Sequence, residues 1–226
     1  MKIVIDGNIG SGKTTQLDLL EKRGRKVFRE PIHEWPLKLF YSDKSRWALL
    51  LQMKVMQTLR PLKGTVVYER CLLSSRFVFW EHLLSKGLVN SEENDVYEEQ
   101  YNRDAWYPDI YIFLSKDPEV AYEHIKTRYQ DGDSSITLDY LKELDVLYKK
   151  LILNIPCTVH VINANKSPEE IHADILSLLM VDGSLHFITS KWKKMQAFLS
   201  DRWKMLCTSF TNMCNLHGTS TKSKFK

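Results

Sequence analysis

The sequence predicts an α/β fold: a five-stranded parallel sheet flanked by helices, with a short lid and an extra helical tail at the C-terminal end. Two observations carry that class. Short apolar runs rich in Val, Ile, Tyr and Phe alternate with longer helical patterns along the chain, and such alternation specifies parallel strands covered on both faces. The first run also leads straight into a glycine-rich turn and a helix, the opening of a sheet whose ligand crevice lies beyond the strands' carboxyl ends. The 226 residues suffice for one ordinary domain and a short appendage, and 43% hydrophobic residues suit a buried core.

In chain order, residues 2–6 (KIVID) read as a buried strand and 14–24 as a helix ending at Gly24. Residues 26–30 (KVFRE) are the next strand, stopped by Pro31. A long helix over 45–60 is closed by Pro61, and the third strand follows at 64–70 (GTVVYER). Residues 74–87 read as one helix and the acidic stretch 91–106 as another. The fourth strand is 108–114 (PDIYIFL), followed by a helix at 118–128 and a polar break at 130–135 (QDGDSS). A helix at 138–153, a fifth strand at 157–163 and a helix at 167–180 complete the domain. A boundary near 181–184 separates the domain, 1–180, from the tail, 181–226.

Charge is distributed unevenly. Eight Lys/Arg and two Asp fall in 181–226, so that segment carries +6 and the preceding residues −2. The main domain is therefore not a basic nucleic-acid binder, and any polyanion or membrane contact belongs to the tail. Mean hydropathy is −0.32, and no apolar run reaches the length of about 18 residues that a spanning helix needs. Met1 to Ile5 leads directly into a strand, which leaves no room for a targeting peptide on this reading. Cys71, Cys157, Cys207 and Cys214 have no zinc spacing and no disulfide framework, so a reducing, cytoplasmic setting is expected.

Residues 5–14 (IDGNIGSGKT) hold the densest chemistry. Gly7, Gly12, Lys13 and Thr14 fit G-x-x-x-x-G-K-[ST] between a strand and a helix. Glycines let backbone amides turn toward phosphate oxygens, and the helix N-terminus adds partial positive charge. Gly7, Asn8, Ile9, Gly10, Ser11, Gly12, Lys13, Thr14 and Thr15 are thus the expected nucleotide-phosphate cradle. Lys13 would neutralise the β/γ-phosphates and Thr14 would ligate Mg²⁺. Glu30 ends the second strand, and Glu69 and Arg70 end the third. Two carboxylates and an arginine at that edge suit phosphoryl transfer to a hydroxyl: one carboxylate takes the proton, the other holds metal, and the arginine neutralises developing charge.

The chain resembles the deoxynucleoside kinase family, which includes deoxycytidine, deoxyguanosine and mitochondrial-type thymidine kinases. The resemblance spans about Met1 to Met180 and rests on GNIGSGKTT, EPIHEW, ER followed by SSRFVF, and PEVAYEHIKTR…LDYLKEL in that order. It implies a P-loop kinase using ATP and Mg²⁺ in nucleotide salvage. It implies Glu30 as base for the 5′-hydroxyl with Arg70 beside it, and Thr14 and Glu69 as metal ligands. Tyr41 would meet the 3′-hydroxyl with an acid from the lid, Gln52 would read the base edge, Phe79 would stack on the base, and Trp35 would wall the pocket. A homodimer is implied as well. Read on its own, Gln52 in the apolar ALLLQMKVM needs partners if buried, since an unsatisfied amide costs about 1–3 kcal/mol. Tyr41, Trp35 and Phe79 alone read as core aromatics.

Members selective for deoxycytidine or purines carry an arginine seven residues after the glutamine and an aspartate in S-D-R. Here those positions are Leu59 and Ser75. The pocket near Val55, Leu59 and Ser75 is thus uncharged and can accept the thymine methyl without stranding a charge, which resembles the thymidine-accepting branch. Ser75 is neither that aspartate nor the alanine typical of the thymidine branch. The lid departs further. Arg128 is kept, to cover donor phosphates alongside Lys126. His124 and Gln130 stand where two more arginines are expected, Gly132 replaces one acid, and Asp133 is the expected partner of the 3′-hydroxyl. Losing a positioned donor can cost about 10²–10³ in rate. The rival readings are a thymidylate-type monophosphate kinase, whose acceptor pocket would need extra cations, and a nucleotide-binding protein without turnover.

In the tail, Trp192, Met195, Leu199, Trp203, Leu206 and Phe210 form a helical stripe surrounded by Lys191, Lys193, Lys194, Arg202 and Lys204. An extra helix packed on the domain or on a dimer partner is the favoured reading. Docking to an anionic membrane is the alternative.

Overall fold

The structure, a computed structural model, describes residues 1–128 and 133–185, with side chains to residue 180. Residues Met1–Leu178 form one compact unit. Its centre is a five-stranded, all-parallel sheet in the order β2-β3-β1-β4-β5. The strands are β1 (Lys2–Gly7), β2 (Val27–Phe28), β3 (Val66–Glu69), β4 (Ile110–Ser115) and β5 (Thr158–Asn163). The expected fold class is what the chain adopts. β1 lies between β3 and β4 and is buried from Ile3 to Gly7, as its unbroken apolar run requires. Its register, Ile5 opposite Glu69 and Gly7 opposite Leu114, brings the ends of three strands level just where the glycine-rich turn begins.

The helices are α1 (Lys13–Lys22), α2 (Leu37–Ser42), α3 (Lys44–Thr58), α4 (Leu72–Ser74), α5 (Glu81–Ser85), α6 (Ser91–Asp104), α7 (Pro118–Arg128), α8 (Leu138–Ile152) and α9 (Pro168–Leu185). Their starts follow local chemistry. Asp43 accepts from Arg46 N at 3.1 Å to cap α3, and Asn90 with Glu93 closes a reciprocal capping box at α6. Among the described residues no helix is long and apolar enough to cross a membrane. α9 continues to Leu185, so helix covers the residues where the domain boundary was expected. The tail stripe from Trp192 onward, and Gln130 and Gly132 of the lid, lie outside the described residues.

Three expectations change. The strand expected over 26–30 pairs only at Val27 and Phe28. Its neighbour turns away at Arg70, which adopts φ 60, so Glu30, which that register would set opposite Arg70, has no ladder to join. The single helix expected over 74–87 is instead α4, a π-helical turn at Ser75–Trp80, and α5. Between Pro31 and Asp43, where no element was expected, a 3₁₀ turn (Ile32–Glu34) and α2 fold back toward α3.

Beneath the sheet's carboxyl edge sits a fully buried carboxylate. Asp6 accepts hydrogen bonds from Tyr111 OH at 2.8 Å, Tyr148 OH at 3.0 Å and Gly7 N at 2.7 Å. Arg70 Nε lies 3.5 Å from it. One carboxylate thus ties β1, β4, α8 and the residue after β3 together. Removing one partner of a buried charge network costs about 3–5 kcal/mol because the other charge is left uncompensated. Asp6→Ala is therefore expected to lower unfolding free energy by about that amount, read from the urea midpoint at constant slope. A loss under about 1 kcal/mol would contradict the network's role.

Candidate active site

A cavity of about 700 Å³ opens beyond the carboxyl ends of β1 and β3. It gathers most residues that the sequence singled out, from segments far apart in the chain. Ile9, Gly10, Gly12, Lys13, Thr14 and Thr15 line one end. Gly7, Asn8 and Ser11 do not line it but support the loop from behind. Asn8 Nδ2 donates to Leu141 O at 2.8 Å, tying the loop to α8. Gly7 O accepts from Lys13 Nζ at 3.1 Å and from Arg70 Nη2 at 3.2 Å.

Two glycines in the loop have separate reasons to be glycine. Gly12 (φ +93) has nothing within 4 Å of the position a Cβ would take, so it leaves the loop's open face free of side chain. Gly10 (φ +80) is crowded, since a Cβ there would stand 2.6 Å from Ala121 O and 3.0 Å from Ile125 Cγ1. α7 therefore packs directly on the loop. Three further features fit a phosphate ligand. Ser11 Oγ is buried with no hydrogen-bond partner. Lys13 Nζ bonds only backbone carbonyls, those of Gly7 and Asn8 (2.8 Å). Burial and the neighbouring Arg70 depress its basicity, and added negative charge would relieve that strain. Thr14 Oγ1 donates to Glu69 Oε1 at 2.7 Å, so a hydroxyl and a carboxylate converge as the hard oxygen donors Mg²⁺ prefers.

Glu30 faces this end across the cavity. Its side chain is 12% exposed, and its oxygens lie 3.4 and 3.5 Å from Arg70 Nη1. Burial, only partly offset by the Arg70 charge, pushes its carboxyl up to about 7. Arg70 is buried, and its guanidinium spans Asp6, Glu30 and Gly7 O. It also stacks 4.8 Å over the Phe79 ring. A carboxylate with raised basicity beside a fixed cation can accept a proton near neutral pH.

The far end is flat and mostly apolar. Trp35, Tyr41, Val55, Leu59 and Phe79 line it, and Trp35 Nε1 donates to Thr58 Oγ1 at 2.9 Å, which fixes its ring. Gln52 is buried, and its Oε1 accepts from Ser75 Oγ at 2.9 Å. Ser75 in turn lies 3.3 Å from Tyr97 OH. Gln52 is thus already oriented by the protein, with its Nε2 donors and an Oε1 lone pair remaining for a ligand. Arg128 and Asp133 both reach the wall, joined by two 2.7 Å hydrogen bonds from Nε and Nη2. Tyr41 lines the same cavity as Asp133, and burial and the Asp133 charge raise its phenol. The expectation that Arg128 covers donor phosphates meets a guanidinium held by that carboxylate.

Several wall residues were not foreseen: Ile32, Leu37 and Phe40 from the segment before α3, Cys71 and Ser74 from the turn after β3, and Tyr140 from α8. Tyr140 follows the Thr137 cap, and the cap's position relative to the strand ends was its only sequence signal. His124, read in the sequence as a lost arginine, is itself part of the wall.

A deoxynucleoside kinase family model matches residues 3–207 of the chain. A protein of Invertebrate iridescent virus 3 is 34% identical over 185 residues, covering 78% of this chain and 95% of its own length. Mitochondrial thymidine kinase 2 of Homo sapiens is 32% identical over 170 residues, covering 67% of this chain and 64% of its own length. Among solved structures, the fold is similar to that of deoxyadenosine kinase from M. mycoides, with TM-score 0.73, 23% identity, and 80% and 99% of the two chains covered.

The contact between α7 and the loop provides a test that needs no activity. Gly10→Ala puts a methyl against the Ala121 carbonyl at a φ that L-residues avoid, and both are backbone features that cannot yield. A loss of about 2–4 kcal/mol is expected, measured by thermal or urea unfolding. Wild-type stability in that variant would contradict the packing.

Proposed function

The chain belongs to the deoxynucleoside kinase family, and on that footing we propose that it transfers the γ-phosphate of ATP to the 5′-hydroxyl of a deoxynucleoside, with thymidine among its better substrates. The observation that carries this reading is Glu30, held by Arg70 at one side of a cavity whose other side is the phosphate loop. In this reading Glu30 accepts the hydroxyl proton while Arg70 keeps the carboxylate oriented and offsets charge on the attacking oxygen. Lys13 and the loop amides hold the β/γ-phosphates. Bound Mg²⁺ would neutralise phosphate charge, with Thr14 and Glu69 as its protein donors. Tyr41 and Asp133 hold the 3′-hydroxyl, and Phe79 and Trp35 sandwich the base. The Arg128–Asp133 pair opens to let Arg128 reach the donor.

Support for thymidine comes from the base end. Gln52, with Ser75 on its carbonyl, offers one donor and one acceptor, which a pyrimidine imide edge matches. Val55 and Leu59 beside it are apolar and Ser75 is uncharged, so a methyl is accommodated and no buried charge is left unpaired. Assembly as a homodimer belongs to this reading too. Leu50 on α3 and Val96 on α6 are 54% and 51% exposed, and α3 packs against α6. The deciding assay is product formation from ATP with each of the four deoxynucleosides and with thymidine monophosphate. Preference for the monophosphate would overturn the proposal.

With Glu30 pushed up to about 7, the base is protonated, hence inactive, at lower pH. With both substrates below saturation, kcat/KM is expected to fall with unit slope below about pH 7, and Glu30→Gln to lower kcat by about 10²–10⁴ with folding intact. An acid limb near pH 4.5 would contradict the raised basicity of Glu30, and unchanged kcat with raised KM in Glu30→Gln would make Glu30 a binding group instead.

Leu59→Arg with Ser75→Asp would supply the charged pair of the deoxycytidine-selective branch. Relative kcat/KM is expected to move from thymidine toward deoxycytidine by about 10-fold or more. An unchanged ratio would mean that other positions set the base preference.

A further inference from the structure

Lys116 follows the last residue of β4 and turns inward, with only 7% of the residue exposed. Its Nζ hydrogen-bonds His124 Nδ1 at 3.2 Å. Among the described residues no carboxylate lies within ion-pair distance of it, and burial lowers its basicity. The other buried cations differ. Arg70 stands between Asp6 and Glu30, and Lys13 is near enough to feel Glu69, Glu30 and Asp6. A buried charge without a counter-charge is costly, and Lys116 carries that cost beside the phosphate end of the cavity.

His124 lies between Lys116 and the loop. It lines the cavity and interacts with the Gly10 backbone, while burial and the Lys116 charge lower its basicity. With an ammonium donating to Nδ1, the neutral ring carries its proton on Nε2. Helix α7, which bears His124, abuts the loop at Gly10. In the free protein, before the Arg128–Asp133 pair opens, the nearby cations of α7 are engaged elsewhere. Arg128 is held by Asp133, and Lys126 by Glu123 at 2.7 Å and the Tyr122 ring.

We propose that Lys116 and His124 form a donor pair for the β- and γ-phosphates of the donor nucleotide, in which Lys116 supplies the charge and, as a positioning residue, holds the neutral His124 ring with its Nε2–H toward the phosphate loop. The pair rests on the kinase reading and takes over part of the role of the lid arginines that this chain lacks. The anion supplies the counter-charge that Lys116 lacks in the free protein, so affinity for the polyphosphate and relief of the buried charge are one event.

The test is direct binding of a non-hydrolysable ATP analogue, and of AMP, to the full chain by calorimetry, with KM values for ATP and thymidine beside it. Lys116→Met is expected to weaken the triphosphate analogue roughly tenfold and to raise the ATP KM similarly. AMP affinity, thymidine KM and melting temperature should stay within about twofold or a few degrees. Lys116→Arg should retain most of the affinity. His124→Gln should match Lys116→Met, and the double variant should be no weaker than either single one, since the two act as a unit. His124→Gln carries the same contrast if Lys116→Met does not fold. Equal losses for AMP and the triphosphate analogue, or no loss for either, would overturn the pair. No turnover of any deoxynucleoside, with the binding contrast intact, would overturn the kinase reading and leave the pair standing.

Discussion

The carboxyl edge of the sheet depends on one buried guanidinium. Arg70 leaves β3 through a left-handed backbone conformation that costs a non-glycine residue of order 1 kcal/mol. Glycine would relieve that cost and remove the cation that reaches Asp6, Glu30 and the Gly7 carbonyl together. Asp6 is anchored in turn by hydroxyls from β4 and α8. The position of Glu30 therefore does not rest on its own strand, which has already left the ladder. It is set through Arg70 and Asp6 by the centre of the fold, so the group with raised basicity is fixed to the central strand.

The two ends of the cavity are built on different principles. At the phosphate end the protein offers cations and unpartnered groups: Lys13 with lowered basicity, the orphaned Ser11 hydroxyl, and Lys116 with no carboxylate at ion-pair distance among the described residues. At the base end the polar groups are few and neutral and are oriented by internal hydrogen bonds, Ser75 to the Gln52 carbonyl and Trp35 to Thr58. An electrostatically unsatisfied end gains most from an anion, whereas a satisfied, apolar end discriminates by shape and by what would be left unpaired.

What the sequence made legible follows from this division. The strand–turn–helix around Gly7–Thr14 could be read because its glycines, lysine and threonine are contiguous and their spacing is dictated by phosphate geometry. Glu69 could be placed because a strand end is a local event, and Arg70 and Glu30 because they follow such ends by one and two residues. Asp6 could not: a lone acid inside KIVID carries no sign of the tyrosines, more than a hundred residues away, that make it tolerable there. Lys116 carries no signal of burial in the sequence around it, because the residue that meets it, His124, is brought there by the packing of α7. Tyr140 and Phe40 needed the path of the chain between elements, which periodicity does not encode. The helix expected across 74–87 failed for a subtler reason, since its apolar pattern fits an α-helix and the widened turn within it is set by tertiary packing.

That widened turn, Ser75–Trp80, contains one residue more than an α-helix of the same span would need. Each residue of an α-helix rotates the chain by about 100°. Deleting a residue here would restore regular geometry and swing Ser74 and Ser75 around the axis relative to Leu83, off the wall they now share. The chemistry facing the base is therefore controlled by a register as well as by side-chain identity. In a lineage built on this frame, loss or gain of a single codon in this turn exchanges a whole face of the pocket at once, a step no point substitution can make.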